Sequence, residues 1–118
     1  MTSTVLVAAF LFAHGLIHLP MWWVSADASA PFDPRHSWAW KRSGTASVVL
    51  ATATAVLYVV AGAALAAQAG AWSAVAVAAG VTGLVLKAVW FHPWLSFGVL
   101  LDAGVVAAAA LHWPASLP

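Results

Sequence analysis

The amino-acid sequence predicts an all-α protein, a four-helix transmembrane bundle with up-down topology, and three observations carry that prediction. Of the 118 residues, 64% are hydrophobic and 6% are charged, and the mean hydropathy is +0.98. Soluble domains carry about a quarter charged residues, so the four Lys and Arg and three Asp and Glu found here cannot coat a water-facing surface. The apolar residues fall in four runs, each near the ~20 residues that a bilayer span takes. The segments outside those runs hold all the prolines but Pro20 and most of the charges.

These numbers also exclude classes. Disorder needs low hydrophobicity, and nucleic-acid binding needs more positive charge than the formal net +1. No nucleic acid is therefore expected among the partners, and the bilayer is. Cysteine is absent, which removes disulfides, thiolate metal sites and S-palmitoylation.

Residues 1–118 read as a single transmembrane domain with helices at about 5–24, 45–67, 72–91 and 94–113. The first, Val5 to Val24, is interrupted by His14, His18 and Pro20. Its flank has no Lys or Arg, unlike the basic start of a secretory signal. Ala26, Ala28 and Ala30 offer a cleavage-like pattern, but a retained first helix is the better reading. Residues 25–42 form the one substantial loop, with Asp27, Pro31, Asp33, Pro34, Arg35, His36, Lys41 and Arg42. Its prolines break helix, and Trp38 and Trp40 suit the headgroup zone, so the loop is placed on the membrane surface. The second helix is rich in Ala and Val, with Thr52 and Thr54 as its mild polar features. The third carries Thr82 and Lys87 and ends before His92-Pro93, because a proline restricts the residue before it. The fourth carries Asp102 and His112.

Small residues recur four apart, as in Gly62 and Ala66, Ala66 and Gly70, Ala76 and Gly80, and Gly104 and Ala108. Such spacing lets helix backbones approach closely in lipid. With four spans, Arg35, Lys41, Arg42 and Lys87 fall on one side, which the positive-inside rule makes cytoplasmic. The expected location is the cell membrane, multi-pass, with both termini extracytoplasmic. Six of the eight tryptophans gather at the predicted cytoplasmic interface, where they serve as an aromatic belt or wall an amphipathic ligand site.

Ionisable groups at membrane depth are functional candidates by default. Five of them, His14, His18, Lys87, His92 and Asp102, fall in one half of the bundle. His14 and His18 are four apart and share a helix face. Two imidazoles can bind a metal or relay a proton, yet two alone make an incomplete metal site, so no metal and no cofactor is expected. Asp102 is the one acidic group inside a span. It has two prospective partners, Lys87 on the preceding helix and His14 at matching depth, the first as a structural pair and the second as a carboxylate orienting an imidazole. No H-E-x-x-H motif, histidine-box series or Gly-rich phosphate loop is present.

Three segments, FLFAHGLIHLP (Phe10 to Pro20), PFDPRHSW (Pro31 to Trp38) and WFHPWLSFGVLLDA (Trp90 to Ala103), together resemble small uncharacterised four-span membrane proteins of high-GC Gram-positive bacteria. Some of those proteins are labelled transporter permeases, but this chain has neither the size nor the coupling loop of such a subunit. The resemblance places His14, His18, Arg35, His92 and Asp102 inside the similar segments and implies no catalytic role.

The expected function is therefore that of an integral membrane protein that binds or conducts a small or lipidic ligand or an ion. His14, His18, Lys87, His92 and Asp102 form its site, in a homo-oligomer or a subunit of a membrane complex. One alternative is a small membrane enzyme doing acid–base or metal-assisted chemistry, with His14, His18 and Asp102 as its catalytic candidates. Another is a structural assembly subunit in which the cluster only staples helices.

Overall fold

The structure, a computed structural model, describes residues 2–24 and 29–118. Asp27 and the Ala26 and Ala28 of the cleavage-like pattern lie outside the described residues.

The helices are α1 (Thr2–Leu16), α2 (His18–Trp23), α3 (Ala46–Ala66), α4 (Trp72–Val89) and α5 (Ser96–Ala110). Taking α1 with α2, and α5 with the 3-10 turn Pro93–Leu95 before it, four segments are long and apolar enough to cross a membrane. Their outer faces fit lipid rather than water: Phe97 is 72% exposed and Leu100 69%. In a bilayer such side chains meet acyl chains, while the helices satisfy their own backbone groups.

The first span differs from the unbroken helix expected over 5–24. Pro20 has no N–H to give Leu16, and its ring crowds the preceding turn, so regular helix stops at Leu16 and resumes at His18. The third and fourth spans also end earlier than expected. His92 is extended (φ −144°, ψ 147°), as a residue before proline tends to be, and α4 closes at Val89. Beyond Ala110, His112 takes a left-handed turn (φ 51°), and Trp113 N donates to Ala108 O, so the helix stops short of residue 113.

Contacts between neighbours run in opposite senses along the chain. Gly15 faces Tyr58 while Gly62 faces Ala8 and Phe12; Gly80 faces Val106 while Gly98 faces Lys87. Both pairs are therefore antiparallel, as the short connections demand. The packing order is α1 on α3, α3 on α4 and α4 on α5. The α1 and α5 helices close no comparable seam, so the bundle has one open side. Of the small-residue stripes, Ala76 and Gly80 are buried at tight contacts, whereas a Cβ on Gly70 or Gly104 would meet nothing.

The connection before α3 carries a feature that the sequence did not suggest, a two-residue antiparallel ladder pairing His36 with Ser43 and Ser37 with Arg42. It holds donors over the helix ends that need them. Arg35 donates from Nε to Trp22 O (3.0 Å) and from Nη2 to Trp23 O (2.6 Å). Ser37 Oγ and Trp38 Nε1 donate to Val89 O and Ala88 O, at 2.9 and 2.6 Å. This segment thus ties the end of α2 to the end of α4.

Candidate functional site

Asp102 is the centre of the site. It is fully buried on α5, and its carboxylate accepts hydrogen bonds from three other helices. Oδ1 accepts from His14 Nε2 on α1 at 2.7 Å and from Tyr58 OH on α3 at 2.5 Å; Oδ2 accepts from Lys87 Nζ on α4 at 2.7 Å. A carboxylate has two oxygens and about four lone-pair positions. The two partners anticipated for Asp102 are therefore not alternatives, and both are present.

The network continues through Lys87, whose Nζ also lies 2.8 Å from His18 Nε2. His18 Nδ1 stands 2.9 Å from His14 O and 3.1 Å from Gly15 O. Carbonyl oxygens only accept, so Nδ1 carries the His18 proton and Nε2 offers its lone pair to the ammonium. An unbroken chain of hydrogen bonds thus runs His18–Lys87–Asp102–His14. With both imidazoles neutral, its charges are one ammonium and one carboxylate, which cancel as a dry interior requires.

Glycines make the room. A Cβ on Gly83 would fall 2.6 Å from Asp102 Oδ2, and one on Gly98 would fall 2.8 Å from Lys87 Cε. Gly15 similarly lets Tyr58 lie against α1. Rings complete the packing: His14 stacks on Phe10 (5.5 Å, 3°), and His18 stacks on Trp22 (5.7 Å, 15°). The Lys87 ammonium is 5.9 Å from the Trp22 ring, within cation–π reach.

The structure brings His14, His18, Lys87 and Asp102 together. It does not bring in His92, which accepts from Trp94 N at 3.2 Å and stacks on Phe32 at 4.4 Å. The extended backbone that Pro93 imposes directs residue 92 to this interfacial role. Tyr58 is the residue that sequence reasoning missed. One signal was available: it is the chain's single tyrosine, and it lies near the middle of a span rather than at an interface where tyrosines normally sit.

His14, His18 and Asp102 are close enough to share a metal ion, with ligand atoms within 4.8 Å of one another. Lys87 Nζ already stands against two of the three, however. An ammonium fills the cation's place, and a metal would have to displace it.

The open side of the bundle is a crevice in two parts. One cavity, of about 360 Å³, is walled by Ala13, Ile17 and Met21 on one side and by Phe97, Gly98 and Leu101 on the other; its polar residues are His14, His18 and Lys87. The second, of about 240 Å³, shares Phe10 and Leu101 with the first and runs between Val7 and Leu11 and the Gly104–Ala108 face, without a charged residue or a histidine. Two valences at the polar part are unused among the described residues. Lys87 has three N–H donors and two hydrogen-bond partners. Among the described residues His14 Nδ1 has no hydrogen-bond partner and is not fully sealed, Ser47 Oγ being the one sealed, unpaired side-chain N or O atom there.

No family model, no curated protein and no solved structure matches this chain.

Proposed function

We propose that this chain is a membrane-embedded binding protein that admits a lipid-soluble, polar-headed ligand sideways through the crevice between α1 and α5. The observation that carries the reading is the crevice itself. It is apolar along its length, and its polar residues meet at one place, where His14 and Lys87 each retain an unused hydrogen-bonding valence. Ligand sites are commonly built this way, with apolar walls and a few placed polar groups that fix orientation. A cluster whose only task was to staple helices would need neither the cavity nor the spare valences.

The test is to fill the cavity without touching the polar network. Ala13 lines the wall and is exposed, so Ala13→Trp occupies the space and leaves Asp102 and its partners intact. Native mass spectrometry of protein extracted in mild detergent should find a lipid-soluble molecule retained by the wild type and lost from Ala13→Trp, with helicity unchanged. No retained molecule, or equal retention by both, would overturn the reading.

A further inference from the structure

The two spare valences differ in kind. His14 gives its Nε2 proton to Asp102, so in the neutral ring Nδ1 is an acceptor. Lys87 has a proton to give. A head group matching both must donate through one atom and accept through another close by. A carboxylic acid does so: its O–H faces an imidazole nitrogen, and its C=O faces an ammonium. The adjoining apolar arm of about 240 Å³ offers an acyl chain a place to lie.

We infer that the ligand is a long-chain carboxylic acid, bound with its head between His14 Nδ1 and Lys87 Nζ and its acyl chain along the crevice; this rests on the binding function proposed above. Charge balance sets the form in which it is held. The empty site is neutral, with Lys87 and Asp102 cancelling. A bare carboxylate would add one buried negative charge, which low dielectric penalises heavily. The acid entering with its proton adds none. Its O–H proton passes to His14 Nδ1, giving a carboxylate and an imidazolium. His14 then donates from Nε2 to Asp102 and from Nδ1 to the ligand, while Lys87 donates to both carboxylates. Two positive and two negative charges remain balanced. The titratable groups around the His14 ring are Asp102 from α5, Tyr58 from α3, His18 from α2 and, through Asp102, Lys87 from α4.

The experiment compares palmitic acid, 1-hexadecanol and methyl palmitate, at equal mole fraction, in nanodiscs holding the full chain. The hexadecanol and the ester keep the hydrocarbon and lose the acid. Palmitic acid should bind about tenfold or more tightly than either, as hydrogen bonds to charged groups supply. In weakly buffered medium at a pH high enough to ionise the palmitate dissolved in the bilayer, binding should take up close to one proton per molecule. His14→Phe, which keeps a stacked ring, should abolish both the preference and the uptake; the wild-type comparison stands without it if that variant fails to fold. Hexadecanol or the ester binding as tightly as the acid would overturn the carboxylate assignment and leave the lipid-binding function in place. Preference for the acid without proton uptake would overturn the proton transfer to His14. If none of the three binds, both this inference and the function beneath it fail.

Discussion

The two flanks of α5 are built in opposite ways. Toward α4 the helix is closed down on glycines: Gly80, Gly83 and Gly98 each face an α5 atom or a Lys87 atom at distances where a Cβ would collide. Toward α1 there is a crevice, bridged at Asp102 by the 2.7 Å bond from His14. One carboxylate serves both flanks, Oδ2 turned to Lys87 on the closed side and Oδ1 to His14 across the open one. In lipid there is no hydrophobic drive to pull helices together, so close packing and polar bonds must do it. Small residues close the seam only where a partner lies against them: Gly80 and Gly83 meet α5, whereas Gly104 and Ala108 face the crevice. The polar residues at the open flank line the crevice while staying largely buried, and it is there that the spare valences lie.

Five variants break or sharpen this contrast. Asp102→Asn should have the largest effect, because it leaves the Lys87 ammonium buried with no counter-charge; losses on breaking buried pairs run to about 3–5 kcal/mol. Lys87→Met with Asp102→Leu should recover part of that loss and not all of it, since His14 Nε2 and Tyr58 OH would remain without an acceptor. Denaturation in detergent followed by circular dichroism measures both, and full additivity of the two single changes would show that the pair is not coupled.

Next comes the same chemical change on the two flanks. Gly83→Ala puts a methyl against the Asp102 carboxylate and should cost about 1–3 kcal/mol, the usual range for overpacking. Tyr58→Phe removes one of the two donors to Oδ1 and should cost about 1 kcal/mol, in keeping with interhelical hydrogen bonds in membranes. Gly104→Ala, on the crevice wall where nothing lies within 4 Å, should be neutral or stabilise by up to about 1 kcal/mol through helix propensity. Equal losses at Gly83 and Gly104, in the same denaturation measurement, would dissolve the distinction between the flanks.

The four spans were legible in the sequence because a bilayer asks a simple question of a chain, namely length and hydropathy, and each run answers it within a few residues. Asp102 was legible as the focus for the same reason, being the acidic residue inside a span. What the sequence concealed depends on three dimensions. The spacing of His14 and His18 shows a shared face, but not that His18 turns its Nδ1 to the carbonyls of His14 and Gly15 while only His14 reaches Asp102. Lys87 and His14 looked like rivals because a sequence does not show that a carboxylate offers its two oxygens to different helices. Tyr58 was overlooked because tyrosine counts among the hydrophobic residues in composition, and its hydroxyl matters only once α3 lies against α1. The small-residue stripes were half informative: spacing finds Ala76 and Gly80, which pack, and equally finds Gly104, which does not. His92 satisfied a depth count and failed on backbone direction, which Pro93 decides.

The pairing of Lys87 with Asp102 also bears on how the chain enters its membrane. An aspartate at the centre of a helix inserting alone costs about 2.5–3.5 kcal/mol, and a buried lysine a comparable amount toward mid-span. The two residues lie on consecutive helices, 15 positions apart, joined by the short turn at Pro93–Leu95. Their neutralisation requires only α4 and α5, before α1 or α3 takes part. Biogenesis is thereby favoured through a helical hairpin delivered as a unit, with its charges already cancelled. His14 and Tyr58 then add donors to a carboxylate whose charge Lys87 alone is enough to balance.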